Sequence, residues 1–231
     1  LSKVLASMST AAQETGIKLV TGDTKVVEKG KGDGIYINTA GIGTISHGTR
    51  ITPQQIQKGD LIILSGDIGR HGMAVMAMRE GLVFNNPLDS DCAPLSDPIQ
   101  TLLNEGIDIH CLRDLTRGGL ATALVELAET AESTFIVEET AIPVSEAVTG
   151  ACEMLGLDPC YVANEGRFIA FIPAAQAEAA LTVLRNHLVS ATCRIIGQVI
   201  EGKKGQVIYK TTMGSERLMH RLPGEQLPRI C

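Results

Sequence analysis

Short apolar segments of strand character alternate with longer amphipathic helical segments through most of the chain, from Leu61 onward. The clearest helix carries apolar residues at helical spacing along one face: Leu120, Ala123, Leu124, Leu127, Ala128 and Ala131. Hairpin patterns at residues 17–45 and 193–209 interrupt this alternation, so we expect a sheet that is not purely parallel. The sequence therefore predicts the α+β class.

The segments predict two domains followed by a tail. Residues 1–50 hold a helix and a hairpin, which are too small to enclose a core, and we interpret them as the remainder of an N-terminal domain. Residues 51–220 hold the alternating segments of a C-terminal α/β domain. Because the chain begins with leucine and enters a helix at once, we interpret it as a fragment or processed form that lacks an N-terminal segment.

Prolines and a glycine break the helix and strand patterns near the end of the chain, so residues 221–231 are predicted to form a flexible tail that carries Cys231. Fully extended, such a tail reaches up to about 35 Å. That reach suits a thiol that is delivered to one site, or carried from one site to another. The alternative is a frayed terminus that happens to end in cysteine.

The remaining cysteines form no C-x-x-C pair and stand mostly among apolar neighbours: Cys92, Cys111, Cys152, Cys160 and Cys193. This pattern favours reduced core thiols, with neither disulfides nor a zinc site. His71 and the other histidines have no second ligand at metal-binding spacing, so they support no catalytic or metal role.

Composition excludes several classes of function. A formal net charge of −6, only 3% aromatic residues and no tryptophan argue against a nucleic-acid surface. No apolar run approaches the roughly 18–20 residues of a membrane span, and the start lacks the order of a signal peptide. We therefore expect a cytoplasmic protein with neither a nucleic acid nor a membrane as partner.

Polar, glycine-containing motifs lie beside three predicted strand ends: Gly22-Asp23-Thr24-Lys25, Asp114-Leu115-Thr116-Arg117-Gly118-Gly119 and Asn164-Glu165-Gly166-Arg167. Glycines let a backbone approach a phosphate, hydroxyls and cations bind its oxygens, and carboxylates hold the Mg²⁺ that bridges them. The combination predicts a nucleoside triphosphate as ligand.

Each motif also has a purely structural alternative. Asp114 and Thr116 could serve only to cap the helix that follows them. Lys25 could be a solvated strand residue, and Glu165 and Arg167 could form an ordinary ion pair on the surface.

These three motifs, together with Arg113 before the second and Ala163 before the third, are similar to those of a known family. So are two further segments: the turn with Ser65-Gly66, Ile68-Gly69 and His71-Gly72, and the terminal Pro228-Arg229-Ile230-Cys231. Together they resemble the HypE family of NiFe-hydrogenase maturation proteins, in the aminoimidazole ribonucleotide synthetase-like ATP-binding superfamily. The similarity spans nearly the whole chain, and the cysteine-terminated tail is its most specific part. Arg70 departs from the pattern, because the family usually has an acidic residue there.

The resemblance implies a two-domain aminoimidazole ribonucleotide synthetase-like fold, here with a truncated ATP-binding N-terminal domain, and a homodimer whose N-terminal domains share a β-barrel. It implies that the carbamoyltransferase HypF places a carboxamide from carbamoyl phosphate on Cys231, and that ATP-dependent dehydration converts this group to a thiocyanate. The cyanide then passes to iron held by a HypC–HypD complex.

The resemblance also implies roles for individual residues. Cys231 carries the reacting group, Glu165 is the expected base, and Lys25 is expected to position phosphate or carboxamide. The expected contacts to ATP are Gly22, Asp23, Thr24, Lys25, Asn164, Thr116 and Arg117. Asp23 and Asp114 are the expected ligands of Mg²⁺.

Two other functions stay open. The chain could belong to another ATP-dependent synthetase of the superfamily, such as selenophosphate synthetase or thiamine-monophosphate kinase, although these have no use for a terminal cysteine. It could also be a non-catalytic carrier or scaffold that presents Cys231 to partner proteins.

Overall fold

The computed structural model describes residues 1–45, 48, 50–81 and 88–221. It divides into two compact units, Leu1–Gly48 and Thr49–Cys231. The described α-helices are α1 (Ser2–Thr15), α2 (Arg70–Glu80), α3 (Ser96–Asn104), α4 (Gly119–Thr130), α5 (Glu146–Leu155) and α6 (Ala177–Arg185). The described strands are β1 (Asp60–Leu64), β2 (Cys111–Asp114), β3 (Thr134–Glu138), β4 (Phe168–Pro173), β5 (Arg194–Ile200), β6 (Gln206–Lys210) and β7 (Glu216–Met219).

The smaller unit contains α1, which ends at Gly16 in the left-handed conformation at φ 68°. The hairpin predicted for residues 17–45 is wrong, because those residues form no strand in the structure. Their apolar side chains face solvent, with Val20 at 87% and Val26 at 89% exposure. The alternation of apolar residues predicts a hairpin because it would bury one face of each strand. Two strands alone, however, are only marginally stable in water.

The larger unit is built on a seven-stranded sheet in the order β2-β4-β1-β5-β3-β6-β7. Its neighbouring strands run antiparallel, except that β3 and β6 are parallel. The predicted α+β class is confirmed. None of the helices in the described ranges combines the length and apolarity needed to cross a bilayer.

Helices cover both faces of this sheet, because successive side chains of a strand point to opposite sides. Ile62 and Leu64 of β1 pack into a core that includes most of α4. Ile63, between them, packs on the other side with apolar residues of α3 and α6. A smaller cluster joins α2 to α5 through Met73, Val148 and neighbouring side chains.

The hairpin predicted between residues 193 and 209 is also wrong, because β3 lies between β5 and β6. The connection from β5 to β6 passes over the first residue of β3, where the Thr134 hydroxyl donates to the Lys203 carbonyl over 2.6 Å. Gly202 permits this crossing, since a Cβ there would lie 2.7 Å from the Thr134 hydroxyl oxygen. The actual hairpin joins β6 to β7.

Apolar residues at helical spacing also predict a helix that opens at Pro173 and has Leu188 on its inward face, and this helix, α6, is shorter in the structure. It begins at Ala177 and ends at Arg185, so Leu188 leaves the predicted inward face and is 99% exposed.

Candidate active site

Three of the glycine-containing segments meet at one edge of the sheet. β1 and β2 both run antiparallel to β4, with Leu64 opposite Ile169 and Asp114 opposite Phe168. The C-terminal ends of β1 and β2 therefore lie beside the N-terminal end of β4. This register brings together the turn of residues 65–72, the segment of residues 114–119 and the loop of residues 164–167.

Asn164 joins these segments from beneath and is completely buried. Its side-chain oxygen accepts from the Gly69 N–H at 2.7 Å. Its amide nitrogen donates to the carbonyls of Leu115 and Val162 at 3.1 and 3.0 Å. Because both side-chain donors are occupied, the structure gives Asn164 a scaffolding role that sequence reasoning missed.

Arg167 is also buried, at 5% exposure, and its ion-pair partner is Asp67. The guanidinium donates to the Asp67 carboxylate over 2.6 Å and to backbone carbonyls of Asp67, Gly166 and Val189. The alternative of a surface pair between Glu165 and Arg167 is therefore wrong. Arg70, the position that departs from the family pattern, pairs with the other Asp67 oxygen over 2.7 Å.

Glu165 is half-buried, and its backbone N–H donates to Asp91 Oδ1 over 3.0 Å. Its own Oε1 is enclosed by the protein and has no hydrogen-bond partner among the described residues. The second oxygen of Asp91, Oδ2, is likewise enclosed and has no hydrogen-bond partner among the described residues. A buried carboxylate oxygen without a donor is costly in a folded protein, so the Glu165 oxygen makes this loop a candidate site.

His71 lies near the same segments. Its Nδ1 is 2.9 Å from the Ser90 hydroxyl, which also accepts from the Cys92 N–H at 3.0 Å. His71 thus has a local hydrogen-bonding role, although its Nε2 is buried without a partner within the described ranges.

A cleft of about 600 Å³ opens beside Asp91, and its lining includes Arg70, Arg167 and Leu188. A second depression of about 560 Å³ shares those three residues and adds Asp67 and Arg194. The surface next to the carboxylates is therefore rich in guanidinium groups.

The segment of residues 114–119 does not cap α4 through its side chains. The residue that caps the helix is Gly118, and none of the described side chains makes a capping hydrogen bond there. The capping alternative for Asp114 and Thr116 is therefore wrong. Arg117 is exposed and has no ion-pair partner in the described part of the chain, which suits a site for phosphate at a helix N-terminus.

The motif of residues 22–25 lies in the smaller unit and is described by itself. All of its residues are exposed, and Asp23 accepts from the Thr24 N–H at 2.8 Å. Lys25 is exposed but lies in no strand. The alternative of a solvated strand residue is therefore right about its exposure and wrong about the strand.

Neither Asp23 nor Asp114, the expected metal ligands, belongs to a cluster of metal-binding side chains in the described part of the chain. The described residues contain no group of three or more His, Cys, Asp or Glu side chains placed to hold a metal ion. Asp114 is 59% exposed, and Arg113 is its nearest charged neighbour, at 3.7 Å. This fits Mg²⁺ that arrives with a nucleotide, since such ions use few protein carboxylates and take their other ligands from phosphates and water.

The five described cysteines are free, and four of them are buried. Burial raises the pKa of Cys111 and of Cys152 from 9.0 to about 11, and also raises the pKa of Cys160 and Cys193. These thiols stay protonated at neutral pH and are poor nucleophiles. Cys92 is exposed. Cys231 and the predicted tail beyond Arg221 lie outside the described residues.

Sequence reasoning missed Asp67 and Asp91 as members of this site. Asp91 stands in a polar, proline-containing segment without glycines, and its partner Glu165 is 74 positions away. The only signal in the sequence was an aspartate between a serine and a cysteine, which specifies no partner.

The larger unit has a recognisable domain type. Residues 57–210 match the family described as AIR synthase related protein, C-terminal domain. Carbamoyl dehydratase HypE of Cupriavidus necator is 46% identical over 231 residues, which is 100% of this chain and 66% of that protein. The chain thus spans about two thirds of the length of this relative.

Solved structures agree with the sequence comparison. A crystal structure of hydrogenase maturation protein HypE in complex with ATP matches with a TM-score of 0.95 at 45% identity, over 99% of this chain and 70% of that one. A HypE–HypF complex matches with a TM-score of 0.91 at 41% identity, over 96% of this chain and 72% of that one. Carbamoyl dehydratase HypE of Azotobacter vinelandii is also 46% identical, over 100% of this chain and 68% of that protein, and the chain belongs to the HypE family.

Proposed function

We propose that this chain performs the ATP-dependent dehydration of an S-carboxamide on Cys231 to a thiocyanate, which supplies cyanide ligands to the iron of a NiFe-hydrogenase. The observation that carries the proposal is the 46% identity to a carbamoyl dehydratase along the entire chain. The enclosed Oε1 of Glu165, which has no hydrogen-bond partner among the described residues, supports it, because a base is needed where the carboxamide reacts.

The chemistry has two requirements. The amide oxygen is a poor leaving group, and ATP supplies the phosphoryl group that turns it into a good one. Both protons on the amide nitrogen must also leave before the carbon–nitrogen triple bond is complete. The balanced products are the thiocyanate, ADP, hydrogen phosphate and one proton: of the two protons that leave nitrogen, Glu165 accepts one and the departing phosphate takes the other.

The remaining residues bind and orient. Lys25 positions the phosphate or the carboxamide, and Gly22, Asp23 and Thr24 contact ATP beside it. Arg117 and Thr116 contact ATP phosphate near the N-terminus of α4, where the exposed guanidinium and the positive end of the helix dipole favour an anion. Asp23 and Asp114 hold Mg²⁺, which neutralises phosphate charge when it is bound.

Asn164 contributes to nucleotide binding as a support for the loop. Its side chain is completely buried and its amide protons are occupied, so it acts by fixing residues 164–167.

The proposed partners follow from the chemistry and the relatives. A carbamoyltransferase of the HypF type loads Cys231, as the matched HypE–HypF complex suggests. A HypC–HypD complex receives the cyanide on iron. The active form is a homodimer.

Intact-mass spectrometry of the full-length gene product tests the proposal. The protein is incubated with HypF, carbamoyl phosphate and ATP, alongside Cys231→Ala and the matched control Cys92→Ala. We expect a mass gain of one carboxamide and then the loss of one water, in the parent protein and in Cys92→Ala but not in Cys231→Ala.

Other outcomes would favour the alternatives. Carboxamide without water loss would indicate a non-catalytic carrier. An unmodified Cys231 would instead favour another ATP-dependent synthetase of the superfamily. Lys25→Ala, compared with the exposed Lys31→Ala, should slow water loss by roughly 10- to 100-fold without preventing carboxamide loading.

A further inference from the structure

Asp91 makes a direct contact with the loop that carries Glu165. It is 4% exposed, and its Oδ1 accepts the Glu165 backbone N–H at 3.0 Å. The two residues are 74 positions apart, so the contact joins the segment after α2 to the segment before β4. A buried carboxylate that accepts a backbone N–H is a strong, directional restraint.

The backbone of Asp91 makes a second contact one residue further along. A Cβ on Gly166 would lie 1.9 Å from the Asp91 carbonyl oxygen, so only glycine lets these two backbone segments approach so closely. Gly166 in turn holds the Arg167 guanidinium through its carbonyl at 2.8 Å. Asp91 therefore fixes the backbone of residues 165 and 166, and the Arg167 side chain holds the carbonyl of Gly166.

The Glu165 side chain has no comparable restraint of its own. Among the described residues, no hydrogen bond or ion pair reaches its carboxylate, and its Oε1 is enclosed without a donor. Its placement therefore depends on the backbone from which it projects. A general base must lie within hydrogen-bond reach of the proton that it accepts, and small displacements are costly.

From these contacts we propose that Asp91 is a positioning residue for Glu165. The proposal rests on the function proposed above, in which Glu165 accepts a proton. Asp91 acts through its Oδ1 acceptor and its backbone, and touches no reacting atom. Removing the acceptor frees the Glu165 N–H and lets the carboxylate move, whereas a side chain that keeps an acceptor oxygen preserves the geometry.

The test compares Asp91→Ala with Asp91→Asn in the full-length gene product, by the rate of water loss from the carboxamide-loaded protein. Asp91→Ala should lower the rate by roughly 10- to 100-fold while the affinity for ATP stays within about twofold. Asp91→Asn, which retains Oδ1, should stay within about threefold of the parent rate.

Asp60→Ala is the matched control. Asp60 is 3% exposed and also accepts a backbone N–H, from Gln57 at 2.8 Å, but it pairs in addition with His110 Nδ1 at 2.7 Å and lies at the other end of β1. Thermal unfolding of all variants separates loss of stability from loss of rate. We expect Asp60→Ala to lower stability and leave the rate of water loss unchanged.

Three results would overturn the proposal: a parent-like rate in Asp91→Ala, an Asp91→Asn variant as slow as Asp91→Ala, or an equal loss of rate in Asp60→Ala. Glu165→Gln separates this failure from failure of the proposed function. If Glu165→Gln is slow while Asp91→Ala is not, the role of Asp91 alone is refuted. If Glu165→Gln reacts at the parent rate, the assignment of the base is refuted as well.

Discussion

The side-chain oxygen of Asn164 accepts the backbone N–H of Gly69 over 2.7 Å, and this bond ties together two loops that are 95 positions apart in the chain. The other end of the same amide holds the segment before α4 through the Leu115 carbonyl. One buried side chain therefore sets the mutual placement of three loops. A change at Asn164 should disturb them together.

Asn164→Ala should lower the free energy of unfolding by about 2–4 kcal/mol, because three hydrogen bonds are lost and their partners stay buried. Asn164→Asp should be at least as harmful, since it keeps the acceptor but turns a carboxylate oxygen toward two carbonyls. Urea unfolding measures both, with exposed Asn104→Ala as control, expected within about 0.5 kcal/mol of the parent. A parent-like Asn164→Ala would disprove the scaffolding role.

Glu165→Gln should slow water loss from the carboxamide-loaded protein by at least about 100-fold, because an amide cannot accept the proton. Loading of the carboxamide and affinity for ATP should not change. The exposed Glu153→Gln on α5 is the control and should react at the parent rate. Rates come from mass spectra taken over time, and equal rates for the two variants would contradict the assignment of Glu165 as base.

Two glycines should respond to alanine in opposite directions. Gly119 begins α4 at φ 62°, and a Cβ there would lie 2.5 Å from the Val162 carbonyl oxygen, so Gly119→Ala should cost about 2 kcal/mol or more. Gly150 lies within α5 with open space around its Cα, so Gly150→Ala should stabilise by about 0.5–1 kcal/mol. Denaturant unfolding measures the change in the free energy of unfolding for each variant. Changes of the same sign in both variants would contradict the described packing.

Alkaline pH should destabilise the protein through its buried thiols. Burial raises the pKa of Cys111 and Cys152 from 9.0 to about 11 in the folded chain. Between these pH values the unfolded chain releases protons that the folded chain retains, so the free energy of unfolding falls as pH rises. Each thiol should contribute about 1–3 kcal/mol to this fall and nothing well below pH 9.

The check is urea unfolding under reducing conditions at neutral pH and across that alkaline range. The double variant Cys111→Ala with Cys152→Ala should be less stable at neutral pH but should lose less stability on going to high pH. Exposed Cys92→Ala should keep the parent's slope. An unchanged slope in the double variant would show that these thiols do not cause the pH dependence.

The periodic elements were predictable because burial repeats along the chain. The apolar face of α4 appears where the sequence predicts it. Strand neighbours were not predictable in this way. Periodicity shows which face of a strand is apolar, but it does not show that β3 separates β5 from β6 or that residues 17–45 form no strand.

The site was predictable where its chemistry is local. The glycine-containing segments could be found from their residue types, and the register of β1, β2 and β4 brings three of them together. The partners of single charges could not be found, because Arg167 pairs with Asp67 across 100 positions and Glu165 meets Asp91 across 74. Such pairs depend on the folded path of the backbone.

The interior position of β1, between β4 and β5, has a consequence for synthesis of the chain. Both neighbours of this strand, β4 and β5, come much later in the chain, and Ser65 bonds to Phe168 at a distance of 103 positions. A ribosome that adds 5–20 residues per second needs roughly 5–20 s to make the intervening chain. During that time Ile62, Ile63 and Leu64 have no strand to pair with, so nascent chains stalled before β4 should be the ones that chaperones bind and proteases remove.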